Sequence, residues 1–300
     1  MRVLFAADGW EDWAPALREA CPEIELLRQA APDSVDAILY APGGDGCDFA
    51  AYPSARLVQS LWAGVEKIAP DPALTQPLAR MVDPGLTQGM VEYCVGWVMR
   101  LHLGMDRYAQ DGVWRNEMAP KLAASRRVTV LGAGALGGAV AIALAGLGFD
   151  VTTWSQSGRG VGDVPALGGS ELGAALARAE ILITLLPHTD RTAGLIGADA
   201  LAAMPEGAAL INPGRGVLIE EEALLSALDS GHLRHAVLDV FRTEPLPPDH
   251  RFWLHPRVTV TPHIAAATRA ETAAPVVAEN LRRVQRGETP LFLVDRGKGY

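Results

Sequence analysis

Cysteine is scarce in this chain. The three present, Cys21, Cys47 and Cys94, are odd in number, far apart and form no C-x-x-C. A disulfide framework and a cysteine metal site are therefore excluded, and a reducing compartment, the cytoplasm, is the expectation. No H-E-x-x-H or comparable ligand spacing occurs, so no metal is called for. Runs of Lys and Arg are missing as well: 26 basic residues face 35 acidic ones, for a net charge of −9. Without a basic stripe to meet a phosphate backbone, nucleic acid is not an expected partner. The opening residues, "MRVLFAADGWEDW", reach Asp8 and Glu11 too soon for a signal peptide. Repeats and low-complexity tracts are absent. What remains is the balance of a soluble globular protein, 49% hydrophobic and 20% charged, whose 300 residues suit two domains better than one.

One stretch lacks charge altogether, Val128 to Phe149, and its Gly134 and Gly138 fit the G-x-x-x-G of membrane helix pairs. Six glycines and the opening β-branched Val-Thr-Val argue instead for a strand, a turn and a buried helix. No membrane association is expected.

Short apolar runs alternate with amphipathic segments, the pattern of parallel sheets wrapped by helices. "RVLFAA", "DAILYAP" and "RLVQSLWAG" read as strands, and residues 86–109 as the first long helix. The less regular residues 110–125 are a plausible crossing into a second domain. Its strands are expected at 127–131, 151–154, 181–185, 208–212, 236–240 and 258–261. A helix over about 268–286 then returns the chain to the first domain, where "TPLFLVD" reads as a further strand.

Gly132-Ala133-Gly134-Ala135-Leu136-Gly137 is G-x-G-x-x-G placed between a strand and an Ala-rich helix, the context that makes the pattern a dinucleotide fingerprint. Gly132 permits the turn, Gly134 admits a pyrophosphate and Gly137 lets helix and sheet approach. The second strand should then end in an acid that holds the ribose, but Ser155 stands there, followed by Gln156, Ser157 and Arg159. An acid would repel a 2′-phosphate by about 4 kcal/mol at roughly 4 Å and an effective dielectric near 20. Its absence favours NADP(H), with a loop that tolerates NAD(H) as the alternative.

Strand ends of a parallel sheet share one edge, where ligands bind. "LINPGRG" brings Asn212 and Arg215 there, "AVLDVFRTEP" brings Asp239 and Glu244, and "VTVTPHIAA" brings His263. For hydride transfer to a 2-oxo acid, Arg215 can grip the carboxylate and His263 can give the carbonyl oxygen its proton. Glu244 beside the imidazole would orient it and favour its charged form, and Asp239 is placed for the nicotinamide end. The six other histidines (102, 188, 232, 235, 250 and 255) read as structural or surface residues.

Over 126–267 the ordered motifs "VLGAGALGG", "LITLLPHTDRTAGLI", "LINPGRGVLIEEEALLSAL", "LDVFRTEPLP" and "VTVTPHIAA" resemble the D-isomer-specific 2-hydroxyacid dehydrogenase family. Within that family, "DPGLTQGMVEY" and "WSQS" are most similar to the glyoxylate/hydroxypyruvate reductase A group. The resemblance implies an α/β fold of two Rossmann-like or flavodoxin-like domains with the active site in the cleft between them. Residues 1–96 plus 270–300 would form the substrate domain. Residues 97–269 would form the dinucleotide-binding domain, with the interdomain helix and a dimerisation segment. It also implies catalytic roles for Arg215, Glu244 and His263. Cofactor contacts would fall on Gly132, Gly134, Ala135, Leu136, Leu186, Pro187, Thr192, Asn212 and Asp239. "LWAGVEKI" is similar to the family's substrate loop, whose amides, here at Ala63 and Gly64, bind the carboxylate; Trp62 is bulkier than expected there. The implied protein is a homodimeric, NADPH-dependent reductase of glyoxylate or hydroxypyruvate without a regulatory appendage. A pocket reshaped by Trp62 and Met90 toward a longer acid is one alternative, and a dinucleotide-sensing binding protein is another.

Overall fold

Consecutive rather than alternating apolar residues mark strands buried on both faces. In β1 (Arg2–Ala6), Val3 and Phe5 enter one core and Leu4 enters another. The computed structural model describes residues 1–43, 46–108, 112–114, 116 and 119–297. The chain divides into two compact units, Met1–Leu86 with Ala267–Tyr300, and Thr87–Ala266. The expected crossing over 110–125 includes residues 110, 111, 115, 117 and 118, which lie outside the described residues, as do 109 and 298–300.

The first unit is a parallel sheet in the order β2-β1-β3-β4-β5. Its further strands are β2 (Glu25–Leu27), β3 (Ala37–Tyr40), β4 (Val58–Ser60) and β5 (Leu78–Ala79). Helices α1 (Trp10–Ala20) and α7 (Ala270–Gln285) cover one face. In α7 the buried Ala270, Ala273, Ala274, Val277, Leu281 and Val284 recur at helical spacing and form the stripe that faces the sheet.

"TPLFLVD" does not form the expected strand. Only one antiparallel bridge forms, between Ala79 and Leu293, and Phe292 sits at φ 59°, outside the extended region. The buried Asn280 takes over the pairing. Its Nδ2 donates to Gln59 Oε1 (2.7 Å) and to the Leu291 carbonyl (3.1 Å), and its Oδ1 accepts from the Leu291 amide (2.6 Å).

The second unit has seven parallel strands in the order β12-β11-β10-β9-β6-β7-β8. In chain order these are β6 (Arg127–Leu131), β7 (Asp150–Ser155), β8 (Ala166–Gly168), β9 (Ile181–Thr184), β10 (Ala208–Asn212), β11 (Leu233–Leu238) and β12 (Val258–Val260). Helices α2 (Pro84–Leu103) and α3 (Ala135–Gly146) serve one core. Helices α4 (Leu172–Ala177) and α6 (Glu221–Asp229) pack with α5 (Ala198–Ala202) on the other. The uncharged run is thus β6, a turn and the buried α3. Among the described residues no helix is long and apolar enough to cross a membrane.

From β6 the chain steps outward through β7 and β8, then returns to the other side of β6 for β9 and the remaining strands. The strand order therefore reverses between β6 and β9, the point at which open parallel sheets bind nucleotides at their carboxyl edge.

Candidate active site

The glycine turn lies at this reversal. Gly132 has φ 113°, and a Cβ there would stand 2.5 Å from the Leu185 carbonyl oxygen. A Cβ on Gly137 would lie 1.8 Å from the Gly132 carbonyl oxygen, so both positions exclude side chains for reasons internal to the fold. Gly134 differs. Its φ of −79° suits any residue, and a Cβ would meet nothing within 4 Å. Nothing in the chain's own packing demands glycine there, whereas close approach by a pyrophosphate does. Ala135 and Leu136 follow in the first turn of α3, whose free amides and dipole favour an anion.

At the end of β7 the Gly158 amide returns to the Ser155 carbonyl (3.1 Å), closing a tight turn. Ser155 and Ser157 hydroxyls stand 3.4 Å apart, and Gln156, Ser157 and Arg159 are exposed. No carboxylate belongs to the turn, so hydroxyls, an amide and a guanidinium are the groups it offers.

Beyond β9, Thr192 organises its own loop: Oγ1 accepts from the Thr189 amide (2.8 Å) and lies 2.6 Å from the Pro187 carbonyl. Leu186 is buried beside it. At the end of β10, the fully buried Asn212 brackets the next turn. Its Oδ1 accepts from Thr184 Oγ1 (2.6 Å) and the Gly214 amide (3.2 Å), and its Nδ2 donates to the Arg215 carbonyl (3.0 Å). The glycines flanking Arg215 are steric necessities. A Cβ on Gly214 would stand 2.6 Å from the Thr184 carbonyl oxygen, and one on Gly216 would stand 2.0 Å from the Phe241 carbonyl carbon. The "GRG" pattern holds the Arg215 backbone against two strand ends, while Nη1 donates to the Gly214 carbonyl (2.8 Å).

Glu244 and His263 are in contact. Glu244 Oε1 accepts from the Phe241 amide (2.9 Å), which leaves Oε2 to meet His263 Nδ1 at 2.8 Å. A carboxylate only accepts, so Nδ1 carries a proton and Nε2 is the nitrogen left for a reactant. The His263 side chain is 55% exposed. Its backbone sits at φ 55°, a left-handed conformation that costs a non-glycine residue roughly 1–3 kcal/mol and recurs at functional sites. The His263 amide donates to the Asp239 carbonyl (2.8 Å), pinning this turn to the end of β11.

Asp239 is fully buried and holds the same turn with its side chain. Oδ1 accepts from Thr261 Oγ1 (2.6 Å) and the Ile264 amide (2.9 Å), and Oδ2 accepts from the Ala265 amide (2.9 Å). The Tyr93 hydroxyl on α2 lies 2.7 Å from Thr261 Oγ1. Thr261 has a single proton and gives it to Asp239, so Tyr93 is the donor to Thr261. Burial pushes the Tyr93 phenol pKa up, which keeps that proton in place. Burial, then the charge of Asp239, raises the pKa of the Cys94 thiol too, so this cysteine is no nucleophile. Tyr93 and Thr261 went unnoticed in the sequence because their hydroxyls matter only through the strand register that stacks them on Asp239.

Trp62, Ala63 and Gly64 belong to the first unit, just past β4. Trp62 is 46% exposed, and its carbonyl accepts from the Met81 amide (3.1 Å). The amides of Ala63 and Gly64 have no partner among the described residues. Met90 is a buried core residue of the second unit, in one hydrophobic cluster with Cys94 and Ala265. Among the described residues, no group of His, Cys, Asp and Glu could hold a metal ion.

A glycine turn at a strand-order reversal, beside an imidazole held by a carboxylate on the same sheet edge, defines an oxidoreductase that uses a nicotinamide dinucleotide. Residues 94–265 match the family profile described as D-isomer specific 2-hydroxyacid dehydrogenase, NAD binding domain. The chain belongs to the D-isomer specific 2-hydroxyacid dehydrogenase family. It is 42% identical over 228 residues to glyoxylate/hydroxypyruvate reductase A of Serratia proteamaculans (strain 568), spanning 75% of this chain and 72% of that protein. Two solved structures share its fold along its whole length, each with 99% of its own chain covered. One is a D-isomer specific 2-hydroxyacid dehydrogenase from Xanthobacter autotrophicus Py2 in complex with NADPH and MES, with TM-score 0.93 and 37% identity. The other is an NADPH-dependent glyoxylate/hydroxypyruvate reductase from Sinorhizobium meliloti in complex with NADP and sulfate, with TM-score 0.90 and 32% identity.

Proposed function

We propose that this chain is an NADPH-dependent reductase of small 2-oxo acids, taking glyoxylate to glycolate and hydroxypyruvate to D-glycerate. The observation that carries the reading is the Glu244–His263 pair, which occupies Nδ1 of a half-exposed imidazole and leaves Nε2 for a reactant on the edge that bears the glycine turn. The relatives' names point to the same substrates and cofactor.

The residues present fit a dinucleotide. Gly132, Gly134, Ala135 and Leu136 would hold the pyrophosphate, the open space at Gly134 being the fit that the fold itself does not require. Leu186, Pro187, Thr192, Asn212 and Asp239 border the same edge. Ser155, Gln156, Ser157 and Arg159 would receive the 2′-phosphate, and NAD(H) would lose that contact. When bound, the nicotinamide supplies a hydride to the carbonyl carbon. Arg215 binds the substrate carboxylate in a fork. His263 Nε2 donates a proton to the carbonyl oxygen, so the two-electron reduction closes with one proton from the protein. Glu244 balances the charge on the imidazole and fixes its plane.

In this reading the first unit is the substrate domain and the second the dinucleotide domain. A homodimer accounts for the run of exposed apolar residues Met105, Tyr108, Val113, Trp114 and Leu122. Three unpaired thiols suit the cytoplasm.

The test is NADPH and NADH oxidation measured side by side with glyoxylate, hydroxypyruvate and longer 2-oxo acids. Faster NADPH use with either small acid is expected. Turnover confined to longer acids would move the substrate, and cofactor binding with no turnover on any would make the chain a dinucleotide sensor.

A further inference from the structure

The turn that carries His263 holds a left-handed backbone, at φ 55°, on a residue that is not glycine. Such a conformation persists only where its surroundings over-determine it, and here one residue supplies most of the restraint. The Asp239 carbonyl accepts from the His263 amide (2.8 Å). Its Oδ1 accepts from the Ile264 amide (2.9 Å) and the Thr261 hydroxyl (2.6 Å), and its Oδ2 from the Ala265 amide (2.9 Å). The Asp239 carboxylate is fully buried and makes no ion pair among the described residues, so these three donors carry its charge. Thr261 is the only side chain among them.

A threonine hydroxyl has one proton and is free to rotate. The Tyr93 hydroxyl, 2.7 Å from Thr261 Oγ1, removes that freedom. By donating to Thr261 it occupies one side of the oxygen and directs the threonine proton to Asp239. The apolar packing of α2 does not need this hydroxyl. That helix enters the core through Met90, Cys94, Val98 and Leu101, at helical spacing, and the Tyr93 ring meets Trp97 edge-on at 6.2 Å. A phenylalanine would keep the ring contact and lose only the bond to Thr261. Tyr93, Thr261, Asp239 and His263 all belong to the second unit.

We propose that Tyr93 is a positioning residue for the reduction: through Thr261 and Asp239, its hydroxyl holds the turn that aims His263 at the substrate carbonyl. The inference rests on the 2-oxo acid reading and extends the site to a group that acts only through its neighbours. Glu244 restrains the imidazole at Nδ1, and the Tyr93–Thr261–Asp239 chain restrains the backbone from which the ring projects. Proton transfer needs Nε2 within hydrogen-bond reach of the carbonyl oxygen, so a loosened turn costs rate while substrate and cofactor still bind.

The experiment compares the full-length chain with Y93F, T261V, the double variant Y93F/T261V, and T261S. Glyoxylate kcat and KM at saturating NADPH, the NADPH dissociation constant and the melting temperature are measured on the same samples. Amide hydrogen exchange at Ile264 and Ala265 is followed in the NADPH-bound protein. Y93F lowers kcat about three- to tenfold, the factor that a neutral hydrogen bond is worth. Its KM and NADPH affinity stay within about twofold, its melting temperature within a few degrees, and exchange at the two amides quickens severalfold. T261V lowers kcat about ten- to a hundredfold, because the bond to the Asp239 carboxylate goes too. Adding Y93F to T261V costs nothing further, since the phenol has already lost its acceptor. T261S keeps the hydroxyl and stays within about threefold of the parent. A Y93F kcat within about twofold of the parent, or losses that add in the double variant, overturns the inference. So does a loss of NADPH affinity or stability as large as the loss of rate, the signature of a packing role. If T261V does not fold, Y93F decides by its rate and by amide exchange, and unchanged exchange refutes. A parent chain that reduces no 2-oxo acid, with exchange at Ile264 and Ala265 still quickened by Y93F, would sink the reductase reading and leave the positioning chain standing. Glyoxylate reduction indifferent to Tyr93 would do the reverse.

Discussion

Replacing Glu244 with Gln keeps the shape of the side chain and removes its charge. In the native arrangement one oxygen accepts from the Phe241 amide at 2.9 Å and the other from His263 Nδ1 at 2.8 Å. Glutamine has a single acceptor oxygen. If that oxygen stays on the Phe241 amide, the NH2 group faces the imidazole and forces Nδ1 to accept, which moves the ring proton to Nε2 and leaves a neutral, weaker acid. If it turns to His263, the NH2 group opposes the Phe241 amide. The size of the effect depends on exposure. An ion pair in water contributes about 0–1 kcal/mol, whereas a charge-assisted hydrogen bond in a sheltered site contributes roughly 1.5–3 kcal/mol. Glu244 is 35% exposed, and substrate would cover the imidazole further, so the larger figure applies during reaction. The expected fall in kcat for NADPH-dependent glyoxylate reduction is about ten- to a hundredfold, with NADPH affinity within twofold of the parent. The assay is steady-state turnover at saturating NADPH, with cofactor affinity read separately by fluorescence titration. A kcat within threefold of the parent would refute the claim that this carboxylate supports the proton donor.

Ser155→Asp places a carboxylate at the end of β7 and should turn preference toward NADH. Repulsion of about 4 kcal/mol at an effective dielectric of 20 is an upper bound in so exposed a turn, so a shift of roughly tenfold or more in the kcat/KM ratio is expected. No shift would assign cofactor choice to another loop. Gly134→Ala should fold normally, its melting temperature within a few degrees, because the added Cβ meets open space, yet bind NADPH about tenfold more weakly. Loss of stability instead would make that glycine a packing residue. His102 and His235 have pKa values lowered by burial, with Arg126 adding to the effect at His102. The unfolded chain takes up these protons near pH 6.5 and the fold resists them. Their contribution to stability is therefore complete above about 6.5 and is lost as pH falls toward the depressed folded values. Urea midpoints between pH 8 and 5.5 should fall less steeply in His102→Asn, and an equal slope would contradict the assignment.

The parts of the site legible in the sequence are those whose reasons are local. The glycines at 132, 137, 214 and 216 are demanded by backbone approaches that recur wherever a strand end meets such a turn, so their spacing survives as a readable motif. Glu244 and His263 were legible as partners because each follows a strand of one parallel sheet. The Tyr93–Thr261–Asp239 chain was not, since it joins groups 168 and 22 residues apart through the packing of α2 on the sheet. The same holds for Asn280, whose bond to Gln59 spans 221 residues and replaces a strand that the apolar run near 290 implied. Strands β2, β5 and β8 have two or three residues each, too few for an alternation pattern to register.

The central claim is that His263 is the proton donor to a bound 2-oxo acid, and His263→Asn tests it most directly. Asparagine tolerates the left-handed backbone at this position, so the turn on Asp239 is kept while the acid is removed. On one sample, kcat for NADPH-dependent glyoxylate reduction and the NADPH dissociation constant are measured together. The account predicts a kcat at least about a hundredfold lower, the scale of a lost general acid, with the dissociation constant within twofold. A kcat within tenfold of the parent, or a cofactor affinity that falls as far as the rate, would contradict it.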